Sequence, residues 1–593
     1  MGLQLAAAVE ALHDLGLRQE PSLIGHVDQD IVLGLQGDAH IDHHDAVGPV
    51  DHPVRAAGQD FALETLALEP PAQDRSNPAT SLGPDTEIQH SVKGYIQLEG
   101  HQGAGSQVRH GALQESGCIE RVTYALFGGR QAIGEITMVQ LKFPVGRPGP
   151  SVQDVLSQDV NPAPAVMLEE SPLDLGTEDV TSERYFSKAW HDREVEKVWR
   201  KTWQLACRVE EIPDVGDHVV YEIVHDSLIV VRTGPDEIRA YVNSCLHRGT
   251  LLRTQGGCVK QFRCPFHGWT WSLQGKLTDL PGAWDFPQVE GKDYSLPEAR
   301  VGVWGGFVFV NFDQDCEPLE SYLEILPEHF KAFALEDRYK AAHVAKIMPC
   351  NWKLAMEAFI ESYHVPSAHP QVLAYYGDQN TQYDVWPGVR HVNRMISVQG
   401  VPSPSMSDVS DETVIKHMRR DMPFYDGKPI EVGPGETPRA KLAERARQKI
   451  GRSTGNDLST LSDTESLDLI EYLLFPNMVP WGGQSLPVCY RFRPYGDNPE
   501  QSVMEIMFLF AKAPDGSHPA PAEIRLLGPD EPWATARELG SAAIVADQDT
   551  ENLMRIQKGL RASSRPTVVL AQYQESRIRH YHQTLDAYMA AED

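Results

Sequence analysis

The stretch Cys245–Trp269, CLHRGTLLRTQGGCVKQFRCPFHGW, decides how this chain is read. It opens on Cys245-Leu246-His247 and closes on Cys264-Pro265-Phe266-His267-Gly268-Trp269, with 16 residues between the two Cys–His pairs. Each pair sets one soft thiolate and one imidazole at the tip of a loop. Arg248-Gly249 follows the first pair, and Gly256-Gly257 marks a turn between them. Two such tips facing each other can hold two irons, the cysteines on one and the histidines on the other. Neutral imidazoles then replace two anionic thiolates of a [2Fe–2S] centre and raise its reduction potential.

Zinc is the plain alternative, because two cysteines and two histidines also make a structural zinc set. Zinc fingers keep like ligands together, a cysteine pair and then a histidine pair. Here each arm mixes the two types, which favours the Rieske kind of [2Fe–2S] ligation.

Around this stretch lies a chain of 593 residues with 41% hydrophobic and 23% charged residues, ordinary for a globular protein and long enough for several domains. Its formal net charge of -30 speaks against nucleic acid and against an anionic membrane surface. An acidic surface suits docking by a positively charged electron-transfer partner, and it serves solubility equally well. Of the 8 cysteines, those outside the two pairs (Cys118, Cys207, Cys258, Cys316, Cys350 and Cys489) have no paired spacing. Free thiols beside an iron–sulfur centre fit a reducing cytoplasm. No run approaches the ~18 apolar residues of a membrane span. Met1–Leu17 lacks a basic start and is interrupted by Glu10 and Asp14, so it is a poor signal peptide. A cytoplasmic location is expected.

Residues 1–166 differ from the rest. They hold two lysines, Lys93 and Lys142, but nine of the 23 histidines, and no period persists. His40-Ile41-Asp42-His43-His44 has no confirming pattern around it and reads as a chance polar run. The segment is expected to be an atypical extension, disordered or preceding the true start near Met167. Residues 167–204 carry amphipathic helices, with Ser182 as a capping candidate. Alternating runs at Val219–Tyr221, Leu228–Val231, Ala240–Val242 and Val303–Val310 predict a β-rich domain over 205–315. Residues 316–593 are mixed. Helices are expected at Leu319–Leu335, Asn351–His364 and Pro532–Leu560, and strands at Val488–Phe492 and Val503–Phe510. A polar insertion or lid spans 405–470, with a helix at Pro438–Ile450.

The second informative segment is Asn351–Pro370, NWKLAMEAFIESYHVPSAHP. Glu361 and His364 are three apart and would share a helix face. Pro366 should end that helix, so that the chain turns and brings His369 back. Two imidazoles with a carboxylate make the two-histidine, one-carboxylate triad of non-heme Fe(II) oxygenases, which leaves positions open on the metal. Asp549 is the candidate carboxylate. Read by itself, an Asp near a helix start is as readily an N-cap.

Together these residues resemble the catalytic alpha subunit of the Rieske non-heme iron oxygenases, the aromatic ring-hydroxylating dioxygenases, over about Leu173 to Gln583. The resemblance implies an α+β fold: a small antiparallel β Rieske domain and a larger helix-grip (START/Bet v 1-like) catalytic domain of antiparallel sheet and helices. It implies that Cys245, His247, Cys264 and His267 bind the [2Fe–2S] cluster. His364, His369 and Asp549 would bind a mononuclear Fe(2+). The family places this Asp eight residues before the Gln of a Gln-x-Gly-Leu stretch, which Gln557 satisfies, with Asp547 as fallback. Glu361 matches the acidic residue that bridges the mononuclear site to His267 of a neighbouring subunit; many ring-hydroxylating members have Asp there. A homo-oligomer, a trimer, follows from that bridge. The implied function is a terminal oxygenase that uses O2 and reductase-supplied electrons to hydroxylate an aromatic or related hydrophobic substrate. The rivals are a monooxygenase or demethylase of a quaternary ammonium or methoxy compound, and a Rieske electron carrier without catalysis. With no nicotinamide fingerprint and no plant-type ferredoxin spacing, a separate NAD(P)H-dependent reductase, and possibly a ferredoxin, must supply the electrons.

Overall fold

The computed structural model describes residue 146 and residues 148–421 and 428–591. The expectations for residues 1–145, including the His40–His44 run, Cys118 and the Met1–Leu17 segment, lie outside the described residues.

The alternating runs build a seven-stranded antiparallel sheet. Its spatial order is Gln204–Arg208, Phe307–Asn311, Glu298–Trp304, Glu237–Val242, Asp226–Gly234, Asp217–Ile223 and Gly257–Cys258. The run Val303–Val310 is a hairpin folded at Gly305-Gly306, which pairs Trp304 with Phe307. Successive strand residues point to opposite faces, and two cores result. Leu228 and Val230 join Tyr221, Ala240, Val308 and Val310. Ile229, Val231 and Tyr241 join Cys245, Leu252, Phe262, Cys264, Trp269 and Trp271. The second core anchors both loops of the opening stretch. A three-stranded sheet, Gln261–Arg263, Thr270–Ser272 and Leu277–Asp279, completes it.

An eight-stranded sheet organises the rest, in the order Gln382–Asp384, Val392–Ser397, Leu469–Leu474, Met478–Gly482, Val488–Tyr495, Asn498–Ala511, Arg338–Met348 and Arg525–Leu527. It departs from the expected antiparallel pattern at one edge, where Arg525–Leu527 runs parallel to Arg338–Met348. Again period 2 sorts the side chains. Leu473, Val479, Trp481, Tyr490, Phe492, Ile506 and Phe508 face the helices Trp352–Glu357, Ala542–Ala562 and Ser576–Ala590. Ile470, Tyr472, Leu474, Met478, Cys489, Met507 and Leu509 face the other way. The expected boundary at 315/316 is not a break in packing: Val308 and Val310 share a core with Tyr490 and Ile506, and Arg491 donates to the Leu205 carbonyl at 2.6 Å.

Several expected elements are shorter or placed differently. Residues 182–199 form a 3-10 turn, an α-helix at Lys188–Glu194 capped by Ser187 rather than Ser182, and a π turn at Val195–Trp199. Leu319–Leu335 is a series of short turns, helical at Leu319–Tyr322 and Leu326–His329. The 405–470 insertion is less polar in place than in composition. Its helix Pro438–Thr454 buries Leu442, Ala443 and Ala446 against Val365, Tyr375, Tyr376, Ile415 and Met418, so it braces the chain around His369. The extension expected over 1–166 does not stop short of the fold. Val152, Val155 and Leu156 enter the same core as Met167, and Asp159 pairs with Arg439 at 2.7 Å. Apolar burial and a buried ion pair place residues 151–166 within the folded unit.

Candidate active site

The two Cys–His loops are built alike. The Gly249 N–H bonds the Cys245 carbonyl at 2.8 Å, and the Gly268 N–H bonds the Cys264 carbonyl at 3.1 Å. Both glycines have positive φ, +77° and +81°, which a side chain would oppose. Each turn aims successive N–H groups back at its own cysteine. At Cys245 burial raises the thiol pKa, and the His247 and Arg248 N–H groups oppose that rise. At Cys264 burial also raises it, but the Phe266 and His267 N–H groups and the contacts with Cys245 and Thr250 outweigh burial and leave the thiol lowered. Backbone donors on paired sulfurs stabilise thiolates and tune an iron–sulfur cluster. The rings of His247 and His267 lie 4.7 Å apart, and His247 stacks on Trp269 at 5.3 Å. His247 Nδ1 is buried and bonds to nothing, an open donor atom beside the cysteines. The loops therefore fit the cluster.

The second constellation forms by a different route from the one expected. The helix from Trp352 ends at Glu357, so Glu361 and His364 are not on it. They meet because the Glu361 carboxylate accepts the Tyr363 and His364 N–H groups in a turn, the latter at 3.1 Å, while His364 Nδ1 lies 2.5 Å from Glu361 Oε1. Pro366 does not close a helix but sits in the first turn of one: it is the second residue of Val365–Ala368, where the missing N–H costs nothing. His369 ends that turn. Asp549 stands in the middle of Ala542–Ala562, not near its start, on a buried stripe with Ala543, Ala546, Leu553 and Gln557. The eight-residue spacing from Asp549 to Gln557 thus keeps both on one helical face. Gln557 accepts the Asn351 N–H at 2.8 Å and fixes the helix to the segment leading to His364.

Asp549 Oδ1 lies 2.9 Å from His369 Nε2 and 3.6 Å from His364 Nε2. One ligand atom from each of the three residues falls within 4.8 Å of the others. Asp547 is elsewhere: its carboxylate accepts the Trp533 and Ala534 N–H groups at 2.7 and 3.0 Å. Both histidines are oriented from behind. His364 Nδ1 is held by Glu361, and His369 Nδ1 by Gln548 Oε1 at 2.7 Å, which leaves the two Nε2 atoms facing Asp549. At His364 burial lowers the imidazole pKa, but the hydrogen bond and charge of Glu361, with Asp549 and Glu471, outweigh it and leave it raised. Such crowding of basic and acidic atoms suits a divalent cation. His369 and Asp549 are buried, and His364 keeps 27% of its side chain exposed. Gln548 was not legible in the sequence, since neither spacing nor residue type marks it. Glu471, a strand residue salt-bridged to Arg577, escaped notice for the same reason.

Residues 202–290 match the Rieske [2Fe-2S] domain, and residues 328–591 match the ring hydroxylating alpha subunit (catalytic domain). The chain is 26% identical over 407 residues to the chlorobenzene dioxygenase subunit alpha of Cupriavidus sp. (strain PS12), covering 64% of this chain and 80% of that one. It is 33% identical over 189 residues to the biphenyl 2,3-dioxygenase subunit alpha of Rhodococcus jostii (strain RHA1), covering 30% of this chain and 41% of that subunit's length. It is 27% identical to the carnitine monooxygenase oxygenase subunit of Acinetobacter pittii (strain PHEA-2), covering 31% and 51%. A solved naphthalene 1,2-dioxygenase with indole bound superposes with TM-score 0.47 at 19% identity, over 71% of this chain and 95% of that one. Among the described residues no helix is long and apolar enough to cross a membrane.

Proposed function

Because this chain belongs to the Rieske non-heme iron oxygenases as a catalytic alpha subunit, we propose that it is a terminal oxygenase hydroxylating an aromatic or related hydrophobic substrate with O2. Cys245, His247, Cys264 and His267 would hold the [2Fe–2S] cluster, and His364, His369 and Asp549 the Fe(2+). When bound, the cluster stores single electrons and the ferrous ion activates O2 for insertion into a C–H or C=C bond. The observation that carries the reading is the convergence of His364, His369 and Asp549 in a chain that also carries the paired Cys–His loops. An electron carrier has no use for the former.

The remaining roles belong to the protein. Glu361 and Gln548 fix the tautomer and tilt of the two imidazoles. In this reading Glu361 would also serve as the bridge between subunits; its side chain is buried, and Tyr363, two residues on, is 58% exposed. Near the Cys–His loops His267 is exposed, with Phe266 at 57% and Trp284 at 86%. Exposed aromatics next to both centres suit a contact between subunits. A head-to-tail ring, a trimer, would set His267 of one copy near Glu361 of the next. A cytoplasmic, reductase-fed enzyme of aromatic catabolism is the setting this reading implies. The similarity to carnitine monooxygenase, with Glu rather than Asp at position 361, favours a quaternary ammonium substrate as second reading.

Oxygen uptake by the reconstituted protein with a surrogate reductase tests both. The panel is aromatic hydrocarbons, aromatic acids and methylammonium compounds. Coupled product from an aromatic supports the first reading, and from a methylammonium compound the second. Reduction of the cluster without any substrate-dependent uptake would leave only a carrier.

A further inference from the structure

Glu471 and Trp481 stand opposite each other on the adjacent strands Leu469–Leu474 and Met478–Gly482, and so point to the same face of the sheet. It is the face of Leu473, Val479, Tyr490 and Phe492, under the helix that carries Asp549. Glu471 is 0% exposed. Its Oε1 accepts from Arg577 Nη1 at 2.8 Å, while its Oε2 has no partner. The indole N–H of Trp481 and Nη2 of Arg577 are also buried and unpartnered. Each such group costs about 1–3 kcal/mol while unpaired, so a polar guest group gains partners here.

The rings beside them are not fully covered. Trp481 and Tyr490 each keep 7% exposure, whereas Val479 and Phe492 on the same face have 0%. Trp481 lies 5.7 Å from Tyr490, and Tyr490 lies 5.2 Å from Phe359, which leads into the Glu361 turn. The mononuclear ligands are close enough to be felt: Glu471 acts on His364, and Glu471 and Asp549 both act on Tyr490.

We propose that Glu471 and Trp481 form a specificity subsite for a hydroxyl group on an aromatic substrate, with Oε2 accepting the hydroxyl proton and the indole N–H donating to its oxygen. This rests on the oxygenase reading for why a substrate comes there. A plain hydrocarbon leaves both groups unpaired. A quaternary ammonium group has neither a proton to donate nor a lone pair for Trp481, and Arg577 already balances the charge of Glu471. Sites built to hydrogen-bond a substrate hydroxyl reject analogues lacking it strongly, by up to about 10⁵-fold.

The test is calorimetric titration of the full chain, loaded with cluster and iron and kept without O2, against phenol, toluene and phenyltrimethylammonium. Phenol should bind at least about tenfold more tightly than the other two. That preference should largely vanish in Trp481→Phe, which keeps the ring packing, and in Glu471→Gln, with cluster absorbance and melting temperature certifying each fold. Equal binding of phenol and toluene, tightest binding of the ammonium compound, or a phenol preference that survives both variants would overturn the proposal. Intact preference with no oxygen uptake on any compound of the panel would overturn the oxygenase reading and leave the subsite standing.

Discussion

His364 and His369 share a design: Nδ1 is anchored by a side-chain oxygen, and Nε2 is turned toward Asp549. Removing an anchor should loosen the metal without touching a ligand, typically 10–100-fold in affinity. Gln548→Ala is therefore expected to lose mononuclear iron about 10–100-fold more readily to a chelator. Iron retained as in the parent protein would refute the anchoring role. His369→Ala should abolish coupled oxygenation while leaving the cluster spectrum intact, read by product formation and by absorbance. Farther in, Glu357 sits in a buried network with Tyr185 and His582, the latter at 2.9 Å. Burial, opposed by Tyr185, Lys353 and Arg184, pushes its pKa up from 4.5 to about 8. A carboxyl whose folded value is raised stabilises the fold while protonated. Its contribution is full below about pH 4.5 and is lost as pH rises through about 8. Melting temperatures of Glu357→Gln and parent should consequently converge, or reverse in the variant's favour, as pH rises from 5 to 9. Parallel curves would contradict the shift.

Among the elements, the segment 151–166 has the largest consequence. Val152, Val155 and Leu156 are all at most 7% exposed, and burying such side chains is worth roughly 1.5–3 kcal/mol each. Total stabilities are about 5–15 kcal/mol, so a chain starting at Met167 should be markedly destabilised. It also strips Arg439 of Asp159. We expect such a truncation to lower the melting temperature by 10 °C or more (about 4 kcal/mol or more) or to yield insoluble protein; an unchanged transition would show the segment to be dispensable. The strands Val219–Tyr221, Leu228–Val231 and Ala240–Val242 could be read from alternation because each lies between two cores that sort side chains by period. The helices could not be bounded so well. Asn351–His364 has helix-compatible residues throughout, yet its helix ends at Glu357, and the Glu361 carboxylate then captures N–H groups locally. A side chain competing for backbone donors leaves no periodic trace.

In the whole molecule the two candidate centres lie on one chain whose sheets share a core, while the exposed His267 and the aromatics around it open to the outside. Iron analysis of reconstituted protein should return about three irons per chain, two for the cluster and one for the mononuclear site. Asp549→Ala should return about two, and two in the parent protein would remove the mononuclear centre from the account. If electrons cross between copies, mixed assemblies of His267→Ala and Asp549→Ala subunits should regain activity that neither variant has alone. No regain in verified hetero-oligomers would restrict electron transfer to a single chain.

The candidate ligand types and their order along the chain were legible from sequence, because metal chemistry restricts residue identity: mixed Cys–His arms and a following pair of histidines; the register of Asp549 with Gln557 came from the family resemblance. The α+β class came with the family resemblance, while the alternating runs marked the strands of its β domain. What only the folded chain decided were the meetings. Asp549 rather than Asp547 faces the histidines because the helix stripe turns one inward, while the other caps the turn at Trp533. Gln548 and Glu471 acquire roles from neighbours 179 and 106 residues away. Side chains so distant along the chain are joined by sheet register and helix packing, and those long-range contacts leave no local pattern to read.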